Sequence, residues 1–166
     1  MGRRYLMGKR KWAYLLLILI LAILFYPVSF LEVRAEKDRQ VFLLKKVSPG
    51  DQFEFRYIHS VDRTPVSGFF LITPERTIKP VETHFLSYGP GLPSMEGKVI
   101  VEKRAIIAAP EVEGLKQFSF FVSPFTEQSL VFKKERIDFS SMKEGEVVTV
   151  GVARYPIGRM LFKYGR

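Results

Sequence analysis

The chain has 166 residues, no cysteine, two histidines and a formal charge of +9. That length holds one ordinary domain with at most an appendage, and excludes large barrels and two-lobed enzymes. The lack of cysteine excludes a disulfide scaffold, a zinc–cysteine centre, an iron–sulfur cluster, a thiol nucleophile and a lipid-modified cysteine, and two histidines cannot form a three-histidine metal site.

Residues 1–11 carry Arg3, Arg4, Lys9, Arg10 and Lys11 and no acid, so they hold +5 of the charge and the rest of the chain +4. Residues 12–31 follow, with Pro27 and Ser29 the only interruptions of an apolar and aromatic run. About 20 such residues as a helix cross a hydrocarbon layer of roughly 30 Å. The composition predicts a transmembrane anchor over 12–31, with Trp12 and Tyr14 at one interface and Tyr26 at the other. The basic tail 1–11 is then cytoplasmic, and the C-terminal portion lies outside the cytoplasmic membrane. Two other readings compete. One is a cleaved signal segment, with Val33-Arg34-Ala35 as the cleavage site and a secreted product; the other is a buried soluble helix. Ala35 lies late after the apolar core, which favours the uncleaved anchor. A basic tail ahead of an apolar run is a topological signal, and the downstream charge is modest, so nucleic acid is not an expected partner.

Residues 32–40 are polar and charged and read as a stalk. From residue 41 to the end, short strand-like runs alternate with turn chemistry. Strands are predicted over 41–47, 52–58, 68–73, 77–87, 98–108, 116–122, 130–132, 136–139 and 146–154. In 52–58, Phe53, Phe55 and Tyr57 alternate with Gln52, Glu54 and Arg56, the period of a strand with one wet face. No segment after the apolar run keeps a 3.6-residue period. The predicted fold is all-β, a compact β-sandwich or small β-barrel over 41–166, preceded by one N-terminal transmembrane helix. Residues 154–166 carry four basic groups and no acid, and read as a charged edge strand or a basic tail.

Two motifs stand out, each at a strand–loop junction. One is Tyr57-Ile58-His59-Ser60-Val61-Asp62-Arg63-Thr64-Pro65, the other Thr83-His84-Phe85-Leu86-Ser87-Tyr88-Gly89-Pro90-Gly91-Leu92-Pro93. The functional reading is a cleft between the two loops, taking a small anion or docking a partner, with Tyr57, His59, Ser60, Asp62, Arg63, Thr64, His84, Tyr88, Gly89 and Gly91 as candidates. Arg63 and Thr64 suit a carboxylate or phosphate, and Gly89 and Gly91 allow backbone N–H groups to turn toward one. The structural reading is a tight turn fixed by Ser60 and Asp62, with His59 bonded to Asp62. A Ser-His-Asp triad from His59, Ser60 and Asp62 is rejected, because adjacent strand residues point apart and no nucleophile elbow surrounds Ser60. A hydrolase with His59 as base is the least favoured reading. The histidine spacing matches no metal signature, and no cofactor is indicated. Phe118, Phe120, Phe121 and Phe125 read as core packing rather than a binding strip.

In His59-Ser60-Val61, Thr64-Pro65-Val66 and the run from Ser87 to Pro93, the chain resembles an uncharacterised bacterial and archaeal family, the domain-of-unknown-function family numbered eighteen-fifty. The resemblance covers about residues 57–93. It implies a short exported protein acting beside tripartite ATP-independent periplasmic (TRAP) transporters of the TAXI subclass, whose binding protein and permease handle organic acids. The implied role is a non-enzymatic accessory that contacts the permease or the binding protein. The chain departs from the family in having Gly68 where an acid is common, and Gly89-Pro90-Gly91 where Gly-Ala-Gly is common. An acid at 68 that bound a ligand has no counterpart here.

Overall fold

The computed structural model describes residues 3–86, 97–102, 105–110 and 112–159. One helix, α1 (Arg3–Phe25), precedes eleven strands. They are β1 (Pro27–Ala35), β2 (Val41–Lys46), β3 (Gln52–Ile58), β4 (Pro65–Ile72), β5 (Ile78–Phe85), β6 (Gly97–Glu102), β7 (Ala105–Pro110), β8 (Gln117–Phe121), β9 (Ser129–Phe132), β10 (Glu135–Asp138) and β11 (Val147–Pro156). The all-β expectation holds. The strands form two antiparallel sheets, one ordered β2-β1-β11-β8 and the other β10-β9-β3-β4-β5-β7-β6.

The N-terminal region corrects the sequence reading. The helix stops at Phe25, so the predicted span over 12–31 is not one helix. Pro27 lacks an N–H and fixes φ, which ends a helix and suits the first residue of a strand. From there Leu31, Val33 and Ala35 alternate with Glu32 and Arg34, and the three apolar residues are fully buried. The predicted stalk over 32–40 is therefore half strand, and the sheet begins well before residue 41. The apolar helical stretch, residues 12–25, is about 21 Å long at 1.5 Å per residue. Among the described residues no helix is long and apolar enough to cross a membrane.

Other departures are smaller. Residues 98–108, predicted as one strand, are two antiparallel strands with Val101 opposite Ile106 and Ile100 opposite Ile107. β4 starts at Pro65, three residues earlier than predicted, because a strand can open on proline. Of residues 154–166, the first three complete β11, and 160–166 lie outside the described residues.

The chain divides into two units, residues 1–30 with 153–166 and residues 31–152. In the first, Phe30 meets Tyr155 (ring centroids 6.2 Å apart), Arg159 lies over the Tyr155 ring, and the Ile157 N–H donates to the Tyr26 carbonyl. In the second, the two sheets share one core. Leu31 and Val33 of β1, Leu43 of β2 and Val148 and Val150 of β11 meet Phe53 and Phe55 of β3 and Leu130 and Phe132 of β9. This is the two-layer sandwich that strands wet on one face must build. A smaller cluster, Val66, Phe85, Ile106 and Ala108, lies on β4, β5 and β7. Beside Gly114, Leu115 exchanges both backbone hydrogen bonds with Ile78 at 2.7 Å, and a Cβ on Gly114 would sit 1.9 Å from the Thr77 hydroxyl.

Candidate functional site

The first motif forms the loop of the β3–β4 hairpin. Ile58 pairs with Pro65, and the His59 N–H donates to the Thr64 carbonyl at 2.8 Å, closing the loop. Inside it, the Arg63 N–H donates to the His59 carbonyl (3.0 Å) and the Asp62 N–H to His59 Nδ1 (3.2 Å). The Asp62 carboxylate is 3.6 Å from the same nitrogen. His59 directly follows β3, which ends at Ile58, and is buried at 6% exposure. The contact with Asp62 expected from the sequence is present, but the imidazole accepts from the backbone instead of donating. Arg63 has φ near 55°, a left-handed conformation that costs a non-glycine residue energy. It places the guanidinium over the Phe125 ring (5.8 Å), with Nη1 donating to the Phe125 carbonyl at 3.4 Å. Ser60 is exposed.

His84 is separate from that turn. It lies on the outer face of β5, opposite Ser67 of β4, with Nε2 3.0 Å from Glu82 Oε2 and its ring 4.8 Å from Phe69. The strand order still relates the two motifs: β4 begins where the hairpin loop ends, and antiparallel β5 finishes beside the start of β4. Chain leaving Phe85 thus departs from the same end of the sheet as the loop 59–64. Tyr88, Gly89 and Gly91 lie outside the described residues. Tyr57 faces the other way, into the sandwich, beside Phe55.

A polar cluster centred on Glu54 and Arg56, outside both motifs, lies on the outer face of β3, β4 and β5. Arg56 donates to both carboxylate oxygens of Glu54 at 2.7 Å, a charge-assisted fork. Burial raises the Glu54 carboxyl, but hydrogen bonds from Arg56 and Ser67 and the charges of Arg56 and His84 outweigh it, leaving the group below the usual carboxylate range. A carboxyl lowered by folding stabilises the protein above its unfolded value of about 4.3, and that stability is lost as pH falls through the lower folded value. Glu54→Gln is therefore expected to be less stable than the parent at pH 7. The gap between the two should close as pH falls below about 4.3, read as denaturation midpoints across pH 7 to 3. The alternation in 52–58 places Glu54 and Arg56 on the wet face, but their partners Ser67 and His84 belong to strands whose register no local pattern specifies.

Phe121 and Phe125 are exposed, whereas Phe118 and Phe120 turn inward and pack against the core. The core-packing expectation therefore holds for one pair and fails for the other. Gly68, at the position where the resembled family carries an acid, faces inward opposite Phe55, and a Cβ there would stand 3.0 Å from the Phe70 ring. Glycine at 68 lets that ring lie flat on the strand. Among the described residues no three His, Asp or Glu side chains are grouped to hold a metal ion.

Comparison with curated proteins and with solved structures returns no match. A family model described as "Domain of unknown function (DUF1850)" matches residues 53–139, which run from β3 through β10 and include both motifs. That stretch is just over half of the chain, and the protein belongs to this family of unknown function.

Proposed function

We propose that the chain is a membrane-attached, non-enzymatic accessory protein whose β-sandwich works on the outer side of the cytoplasmic membrane. The observation that carries this reading is the surface of α1. Leu15, Leu16, Leu17, Ile18 and Leu19 cover more than a full helical turn, and each is between 52% and 62% exposed. Such a helix has no wet face. Each buried leucine or isoleucine is worth about 1.5–3 kcal/mol against water, so lipid is the solvent this surface suits. The 21 Å apolar length is short of the roughly 30 Å hydrocarbon layer, a mismatch met by local thinning and by lysine and arginine stems reaching to the headgroups. The +5 charge of residues 1–11 sets the basic end on the cytoplasmic side. The partner proposed, on the resemblance alone, is the permease or binding protein of a TAXI-type TRAP transporter.

Alkaline carbonate washing is expected to leave the full chain with the membrane and to release a Leu16→Asp, Leu19→Asp variant. Wild-type chain in the wash overturns the attachment. Deleting the gene is expected to reduce transporter-dependent uptake of organic acid. Unchanged uptake, with no transporter subunit co-purifying, overturns the partnership.

A second reading, a small-anion site, is favoured by the departure of both motifs from one end of the sheet. Arg63 would supply the charge there. A carboxylate or phosphate that raises the melting temperature, with the rise lost in Arg63→Ala, supports it; no shift across a panel of organic acids removes it.

A further inference from the structure

Within residues 31–152, β3 and β4 of one sheet and β8 of the other border an open cleft of about 370 Å³. Phe55, Tyr57, Phe70, Phe118 and Phe120 form its walls. Phe70 and Phe118 lie nearly parallel, centroids 5.1 Å apart, and Phe55 and Phe120 are 4.7 Å apart. Tyr57, Phe70, Phe118 and Phe120 are only half-buried, so the space is reachable from solvent.

Four features define what fits. No charged side chain among the described residues lines the cleft, so a carboxylate or ammonium entering it would lose water with no counter-charge among them to replace it. The other polar walls are already engaged. The Gln128 amide donates to the Phe121 carbonyl at 2.7 Å and accepts from the Ser123 N–H, and the Ser119 hydroxyl is 3.0 Å from that of Thr149. The Tyr57 hydroxyl has no hydrogen-bond partner among the described residues, and burial raises its pKa, so it stays a neutral donor. An apolar cavity of about 150 Å³ accommodates one benzene ring, so this volume holds one or two rings.

We propose that the aromatic cleft between β3, β4 and β8 binds an uncharged aromatic compound of one or two rings, whose carbonyl or other acceptor takes the Tyr57 hydroxyl hydrogen. The site is independent of the membrane attachment and of the loop 59–64.

The test is fluorine NMR on the full chain in lipid nanodiscs, with 4′-fluoroacetophenone as probe and empty discs as the partition control. Saturable binding beyond the empty discs is expected, with 4-fluorobenzoate at least about tenfold weaker because its charge must be desolvated. Tyr57→Phe keeps the ring and should weaken the ketone about fivefold, the loss of one hydrogen bond. Phe70→Leu should weaken the ketone as well, with an unchanged melting profile confirming that the fold is kept. Three results would each overturn the site: no saturable binding, benzoate binding as tightly as the ketone, or a folded Tyr57→Phe chain that binds like the parent.

Discussion

Leu31→Ala is expected to lower the unfolding free energy of the sandwich by about 2–5 kcal/mol. Leu31 has no exposed surface, and β1 lies between β2 and β11 in its sheet. Val33, Val148 and Val150 belong to the same buried cluster, and an inner strand held on both sides cannot move in to fill the space. Leu19→Ala is the control. It removes the same atoms twelve residues earlier, from a side chain 56% exposed on α1, and is expected to leave the denaturation midpoint of the sandwich unchanged. Urea titration of the two variants in nanodiscs, followed by aromatic circular dichroism, separates a strand residue from a helix residue inside what hydropathy reads as one run. Equal effects would contradict the assignment of residues 27–35 to a strand.

Phe139→Ala is expected to cost about 3–5 kcal/mol, the largest effect of any single truncation considered. Phe139 follows β10, is fully buried, and packs its ring 5.1 Å from Phe120 and 6.4 Å from Phe55. Its N–H donates to the Gln128 carbonyl and its carbonyl accepts from the Met142 N–H, so the backbone is fixed while the ring plugs the core. Removing the ring leaves a hole lined by two other phenylalanines. Phe139→Leu should recover more than half of the loss, read by the same titration. A cost below about 1 kcal/mol for the alanine variant would mean that residues 139–142 can collapse onto the core.

Much of the fold is legible because one face of the sheets is wet. Gln52, Glu54 and Arg56 interrupt Phe53, Phe55 and Tyr57 at period two, and β3 occupies the predicted residues. β1 is hidden for the opposite reason. Val28, Phe30 and Leu31 extend the apolar run of α1, and average hydropathy does not register a change from helix to strand. The signal is Pro27 followed by the alternation of Leu31, Val33 and Ala35, which the span and stalk readings split between them. The boundary between β6 and β7 escapes notice because the sequence between Glu102 and Ala105 holds no Gly or Pro.

The site divides along the same line. His59, Asp62, Arg63 and Thr64 form a turn within six residues, so the turn and the His59–Asp62 contact can be read from the chain, whereas the acceptor role of the imidazole cannot. The fork of Glu54 and Arg56 near His84, and the cleft that Tyr57 shares with Phe70 and Phe120, depend on strands far apart in sequence. They appear only once register is known.

The chain has no native cysteine, so single cysteines placed along residues 12–35 report their surroundings directly, through spin labels on the full chain in membranes. Labels at Leu16, Leu19 and Ile23 should be open to oxygen dissolved in lipid and closed to a water-soluble relaxant. Labels from Val28 onward should switch to a two-residue period, with positions 31, 33 and 35 closed to both. A lipid-exposed helical pattern running unbroken through Leu31, or water access at Leu16 to Ile23, would contradict a lipid-seated helix that hands over at Pro27 to a strand of the sandwich.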